Sequence, residues 1–244
     1  MSDENALKIP TKPPIGLKRG IGAARATFEN TMKNIDPKTV SNRIGIVLDD
    51  SGSMGYDGMQ NAHKAVKGFT NSCNMTDTSI AIYPLNKEAK PLICDYDILN
   101  AYVSGIGATG GTPIYGILAN LIELEPITRA VVFSDGEPTD SSCLVGEQPD
   151  NNDFYYGSKD PKKAMEVIAI FNRKELPIDT IFIGDDGSKG YREMKKLAEL
   201  TNGTFIHFKD SNSLSTGLKY LAPKYRALLA NPEIRAKIER GENV

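Results

Sequence analysis

The chain has 244 residues and a net charge of −2, and its 40% hydrophobic and 25% charged residues match the ordinary balance of a soluble globular protein. It can bury a substantial core, and it contains no stretch of the roughly 20 apolar residues needed to span a bilayer. Residues 1–38 carry seven Lys/Arg against four Asp/Glu, and residues 219–244 carry six against three, so the middle is acidic. An acidic middle argues against a nucleic-acid-binding core.

The N-terminal residues and the cysteines give information on the cellular compartment of the protein. The N-terminus, MSDEN, lacks the positive start and apolar run of a secretory signal, which predicts a cytoplasmic protein. The three cysteines, Cys73, Cys94 and Cys143, are widely spaced and odd in number. This spacing indicates neither a disulfide framework nor a zinc motif, so buried or incidental thiols are expected.

Taken in chain order, residues 1–19 mix polar residues with three prolines and predict an extended or disordered arm, and a helix is expected at 23–33. Beyond residue 38, apolar strand-like runs alternate with helical stretches. The predicted strands are 43–48, 79–83, 89–93, 129–134, 178–183 and 204–208. The predicted helices are 58–73, 113–125, 161–174, 191–200 and 213–220, with a further helix at 232–240.

This alternation predicts an α/β fold with a doubly wound, mostly parallel central sheet and helices on both faces. The strands at 79–83 and 89–93 are close enough to form a hairpin, which would give one antiparallel edge strand. We predict a single domain at 39–222, an N-terminal extension at 1–38 and a basic C-terminal tail or helix at 223–244.

Oxygen-bearing side chains follow two of the apolar strands. Asp49, Ser51 and Ser53 come directly after the apolar run at 44–48, and Asp135 follows the run at 130–134. Thr112 stands at a predicted helix start, after two glycines. Because ligands of open α/β sheets bind outside the carboxyl ends of the strands, we expect these three loops to form one site.

The order Asp-x-Ser-x-Ser, Gly-Gly-Thr and Ser-Asp-Gly resembles the von Willebrand factor A (VWA) family and its metal-ion-dependent adhesion site (MIDAS), over about residues 40–222. The resemblance implies the Rossmann-like VWA fold and a metal site in which Ser51, Ser53 and Thr112 bind directly, whereas Asp49 and Asp135 often act through water. It implies that an Asp or Glu of a protein partner completes the site. Intracellular members often work beside AAA+ ATPases, so the resemblance suggests an adaptor with such a partner.

The donor set supports a metal site without the resemblance. Mg²⁺ favours six oxygens at about 2.1 Å and is often held by only one or two carboxylates. Hydroxyl ligands leave the ion with more uncompensated charge than carboxylates would, so a ligand with its own carboxylate gains binding. The sequence therefore predicts a Mg²⁺- or Mn²⁺-dependent protein–protein interaction module, not an enzyme, that binds an acidic residue of a partner and neither nucleic acid nor membrane.

Each site residue also has a purely structural interpretation. Ser51 and Ser53 could be simple turn residues. Thr112 could cap the helix that follows it, and Asp135 before glycine is a turn signal in its own right. Asp50 has no role in the resemblance and is expected to be solvated.

Other functions remain as alternatives. The same aspartates and Mg²⁺ could serve a phosphatase-like hydrolase, or the chain could be a scaffold with a vestigial metal site. The string G-x-G-x-x-G at 105–110 follows a poor strand, which argues against a dinucleotide site. His63 and His207 are expected to be structural or surface residues. The acidic segment 138–158 is either a lid or specificity loop over the site or simple surface decoration.

Overall fold

The computed structural model of the protein describes residues 35–73, 77–139, 143–145 and 161–209. Strands and helices alternate along these ranges. The strands are β1 (Asn42–Leu48), β2 (Thr78–Pro84), β3 (Lys90–Ile93), β4 (Arg129–Ser134), β5 (Ile178–Ile183) and β6 (Phe205–Phe208). The helices are α1 (Gly55–Ser72), α2 (Tyr96–Ser104), α3 (Ile114–Leu124), α4 (Pro161–Arg173) and α5 (Lys189–Leu200), and a 3-10 turn (Gly52–Met54) precedes α1.

The strands form one six-stranded sheet in the order β3-β2-β1-β4-β5-β6. All neighbouring strands pair in parallel except β2 and β3, which pair antiparallel. The predicted α/β fold, with its mostly parallel sheet and one antiparallel edge strand, is confirmed. The strand order reverses between β1 and β4, so the carboxyl ends of these two central strands lie at the topological switch point.

The core lies on both faces of the sheet because successive strand residues point to opposite sides. In β1, Ile46 belongs to the cluster that packs with α1 and α2, through residues such as Phe69 and Leu99. The next residue, Val47, belongs to the opposite cluster, which includes Leu118 of α3 and Leu197 of α5. Burying each such side chain contributes roughly 1.5–3 kcal/mol, so the two clusters hold the central strands and their carboxyl ends in place.

The antiparallel edge strand, β3, is short and irregular. Its register with β2 shifts between the pair Ile80 and Ile93 and the pair Ile82 and Lys90. Pro91, in the middle of β3, is exposed and has no N–H to donate. Proline is tolerated here because the strand lies at the edge of the sheet.

Helix α2 was not predicted, although its start carries a clear signal. The Asp95 side chain accepts hydrogen bonds from the N–H groups of Asp97 (2.9 Å) and Ile98 (3.1 Å) and so caps the helix. Since α2 ends at Ser104, the G-x-G-x-x-G string follows a helix rather than the strand that a dinucleotide site requires. In the described part of the chain, no helix is both long and apolar enough for a membrane span.

Several predicted elements lie outside the described residues. They are the arm at 1–19, the helices at 23–33, 213–220 and 232–240, and most of the segment 138–158.

Candidate metal centre

Asp49 is held at the end of β1 by the neighbouring strand β4. Its N–H donates to the Phe133 carbonyl (2.8 Å), and its side chain is fully buried. Oδ1 accepts a hydrogen bond from the Ser51 N–H (2.9 Å), and Oδ2 accepts one from the Ser134 hydroxyl (2.5 Å). The carboxylate is thus oriented from both central strands.

A hydrogen-bonded chain of side chains joins the loops after β1 and β4. The Ser51 and Ser53 hydroxyl oxygens lie 2.9 Å apart, and the Ser53 hydroxyl donates to Asp135 Oδ1 at 2.9 Å. Because a hydroxyl has one hydrogen, Ser51 must be the donor to Ser53. Ser51 is buried and Ser53 is exposed, so the chain leads from the protein interior to the surface.

Thr112 reaches the same place from the loop before α3. A Cβ built on Gly136 would lie 3.6 Å from Ser53 Oγ, 3.7 Å from Thr112 Oγ1 and 4.0 Å from Asp49 Oδ2. Side-chain oxygens of the loop after β1 and of the loop before α3 therefore converge on the loop after β4. Together with the Ser51–Ser53–Asp135 chain, this brings all five predicted site residues into one cluster at the switch point.

The capping role considered for Thr112 is wrong. Helix α3 begins at Ile114, and its N-cap position is Pro113, which makes no side-chain cap hydrogen bond. The Thr112 hydroxyl is directed to the cluster instead.

The donor set of the cluster fits a hard cation. It combines two carboxylates with three hydroxyls, and hard oxygens are the ligands that Mg²⁺ prefers. Among the described residues, no group of three or more His, Cys, Asp or Glu side chains is arranged to hold a metal ion.

The imidazole and thiol side chains have structural surroundings. His63 is buried in α1, and the His207 Nε2 atom lies 2.6 Å from the Gly184 carbonyl oxygen. Cys73, Cys94 and Cys143 are buried.

Asp135 is the strongly perturbed acid of the cluster. Burial and the nearby charge of Asp49 raise the pKa of Asp135 to about 6, although the hydrogen bond from Ser53 acts in the opposite direction. A cation beside two such carboxylates would relieve their repulsion.

Asp50 is not solvated, contrary to the prediction. It is fully buried, and its Oδ1 accepts hydrogen bonds from the Asn86 N–H (2.9 Å) and Nδ2 (3.0 Å). Burial raises the pKa of Asp50 above its ordinary value, the Asn86 hydrogen bonds lower it, and the Asp49 charge raises it further. The available signal was the position of Asp50, two residues after the end of the buried strand β1, where burial extends into the following loop.

Helix α5 supports the cluster through two residues that sequence reasoning did not identify. Gly190 packs against the loop after β4, since a Cβ there would lie 2.8 Å from the Gly136 carbonyl oxygen. Glu193 is buried, and its carboxylate accepts hydrogen bonds from the Tyr115 hydroxyl (2.5 Å) and the N–H groups of Leu144 (2.6 Å) and Val145 (2.8 Å). One helix therefore contacts both the Asp135 loop and α3, which follows Thr112.

Solved structures of other proteins share this architecture. No protein-family model matches the chain, and no curated protein sequence matches it. A von Willebrand factor type A structure from Catenulispora acidiphila matches with a TM-score of 0.59 and 20% identity, over 77% of this chain and 43% of that one. The pilus adhesin SpaC from Lactobacillus rhamnosus GG matches with a TM-score of 0.59 and 14% identity, over 80% of this chain and 31% of that one.

A third match is proximal thread matrix protein 1 from the mussel byssus, solved with a zinc-occupied MIDAS motif. Its TM-score is 0.54 and its identity 18%, over 77% of this chain and 48% of that one. The chain thus spans less than half the length of each of these three structures. The sheet order, the antiparallel edge and the matched structures lead to one conclusion: the chain has the fold of a von Willebrand factor A domain.

Proposed function

We propose that the chain is a protein-binding module that depends on a divalent ion held by Asp49, Ser51, Ser53, Thr112 and Asp135. The observation that carries this proposal is the convergence of hydroxyl and carboxylate oxygens beside Gly136. The zinc-occupied MIDAS motif of the mussel protein supports an ion site in this fold.

The ligand types favour Mg²⁺ or Mn²⁺. Ca²⁺ usually takes six to eight oxygens at about 2.3–2.6 Å, and zinc prefers nitrogen and sulfur ligands. The three hydroxyls would bind the ion directly, and Asp49, oriented by Ser51 and Ser134, would balance part of its charge. The bound ion would present a positive charge at the protein surface, next to exposed Ser53.

A partner's Asp or Glu is the ligand that such a charge would recruit. Neutral hydroxyls compensate little of the ion's charge, so a carboxylate from another protein would form a charge-assisted contact. A cytoplasmic AAA+ ATPase, with this chain as its adaptor, is the first partner to test, because the sequence resemblance suggests it.

Ion binding should depend on the Thr112 hydroxyl. Thr112→Val removes the oxygen at nearly constant volume, and we expect at least about tenfold weaker Mg²⁺ and Mn²⁺ binding by calorimetry. Gly136→Ala should have the same effect, because its methyl group would contact three of the converging oxygens, while the fold has room for it. Thr109→Val, the same change at an exposed residue of the same loop, serves as the control. Equal ion affinity in wild type and Thr112→Val would contradict the assignment.

Partner binding should require both the ion and an acidic residue. A complex captured from the native host should dissociate in EDTA, re-form when Mg²⁺ is restored, and fail to form with Thr112→Val. Changing one Asp or Glu of the partner to its amide should also release it. A complex that survives all of these treatments would show that the partner binds elsewhere on the chain.

A further inference from the structure

We infer that Asp50 and Asn86 position Thr112 for the ion, a role that rests on the proposed function. Asp50 Oδ1 accepts one hydrogen bond from the Asn86 backbone N–H and one from Asn86 Nδ2, which together fix Asn86 in the loop after β2. The same Asn86 Nδ2 also donates to the Gly111 carbonyl at 2.8 Å. We call these three hydrogen bonds the Asp50–Asn86 clasp, which connects the first site loop to the residue before Thr112.

The clasp acts on the peptide bond that links Gly111 to Thr112. The carbonyl of that peptide accepts from Asn86, and its N–H donates to the Thr139 hydroxyl, which lies in the loop after β4. Both polar atoms of one peptide plane are therefore fixed by side chains from two different loops. Because this plane sets the backbone angle at Thr112, it also sets the direction of the Thr112 hydroxyl.

Two backbone hydrogen bonds attach the rest of the Thr112 loop to the loop after β1. The Thr109 N–H donates to the Asp50 carbonyl (2.6 Å), and the Gly52 N–H donates to the Gly110 carbonyl (3.1 Å). Gly110 has φ +72°, and a Cβ there would lie 2.2 Å from Asn86 Oδ1. Only glycine fits this close approach to the Asn86 side chain.

The burial of the Asp50 carboxylate has an energetic cost. Its Oδ2 atom is buried and has no hydrogen-bond partner among the described residues. Leaving a buried polar atom unsatisfied lowers the stability of the folded protein, so stability alone does not account for a carboxylate here. Such a cost is expected where the residue serves the geometry of a site.

The test is Asn86→Ala, measured with Mn²⁺ as the probe. We expect the dissociation constant for Mn²⁺ to rise about tenfold, as for other residues that orient metal ligands. Proton relaxation should also show one more water on the bound Mn²⁺, because the Thr112 hydroxyl no longer reaches it. Asp50→Asn keeps an oxygen acceptor for Asn86 and is expected to retain the wild-type hydration of the ion.

Thr128→Ala is the matched control. It removes two hydrogen bonds between the Thr128 hydroxyl and the Arg43 backbone, at the amino ends of β1 and β4, away from the ion site. It should lower stability and leave Mn²⁺ affinity and hydration unchanged. If Asn86→Ala does not fold, Asn86→Leu, which has a similar size but no donor for the Gly111 carbonyl, carries the test with the same expected result. Wild-type affinity and hydration in the variant tested would overturn the clasp, whereas a wild-type protein that binds no ion would overturn the proposed function instead.

Discussion

Asparagine in place of Asp135 is expected to stabilise the protein in EDTA and to abolish its binding of a divalent ion. Burial and the Asp49 charge raise the pKa of Asp135 to about 6, so the ionised carboxylate is disfavoured in the folded protein. Asparagine keeps an acceptor for the Ser53 hydroxyl and carries no charge. We expect a gain of roughly 1–2 kcal/mol at pH 7.5, which is less than the raised pKa alone implies, because Asp135 is partly open to solvent.

The gain from Asp135→Asn should depend on pH in a defined direction. The pKa of this carboxyl is higher in the folded chain, about 6, than the ordinary value of 3.8. Its protonated form therefore favours folding below pH 3.8, and wild type loses that stability as the pH rises to 6. The difference between variant and wild type should be small at pH 4 and full at pH 7.5.

Urea unfolding in EDTA at the two pH values measures this difference. Excess Mg²⁺ should then stabilise wild type and leave the variant unchanged, because only a folded protein that binds the ion gains stability from it. A variant less stable than wild type at pH 7.5 in EDTA would contradict the electrostatic account. A variant that Mg²⁺ still stabilises would contradict the role of Asp135 in the ion site.

Gly190→Ala is expected to lower both the stability of the protein and its affinity for the ion. Its methyl group would lie 2.8 Å from the Gly136 carbonyl oxygen and 2.9 Å from the Phe182 ring, so α5 must move outward. That movement would strain the hydrogen bonds of Glu193 with Tyr115 and Leu144. We expect a loss of about 1–3 kcal/mol, the usual cost of overpacking, and at least about tenfold weaker ion binding.

Gly68→Ala provides the control for Gly190→Ala. Gly68 is an exposed residue of α1, and a Cβ there would meet nothing within 4 Å. This substitution should stabilise the protein by roughly 0.5–1 kcal/mol, because alanine is the better helix former, and should leave ion binding unchanged. Thermal unfolding and calorimetry on the two variants separate the effect of contact with the site loop from the general effect of alanine in a helix.

The strands were predictable because the central sheet is buried on both faces. β4 and β5 begin and end at the predicted residues, since apolar residues dominate each strand and a glycine-containing loop follows it. The grouping of Asp49 and Asp135 was predictable for a related reason, whereas Thr112 was assigned to the site through the family resemblance. Once the strands were placed, the carboxyl ends of β1 and β4 were expected to lie together, because ligands of open sheets bind outside the carboxyl ends of the strands.

The hydrogen-bond partners of the buried acids were not predictable. Asp50 was expected to be solvated because the family resemblance gave it no role, whereas its partner, Asn86, lies 36 positions away along the chain. Glu193 likewise meets Tyr115 across 78 positions. Periodicity in a sequence indicates which face of an element is buried, but such pairs depend on how distant loops meet after folding.

The edge strand β3 has a consequence for self-association. Exposed edge strands can recruit strands from other molecules through their unpaired N–H and C=O groups, which leads to aggregation. Pro91 removes one donor from the middle of this edge, and the neighbouring Lys90 carries a charge that resists burial against another chain. The irregular register of β3 further reduces the straight length available for pairing. Intermolecular growth of the sheet is therefore disfavoured at this edge, so the protein should tolerate high concentrations without forming fibrils from that side.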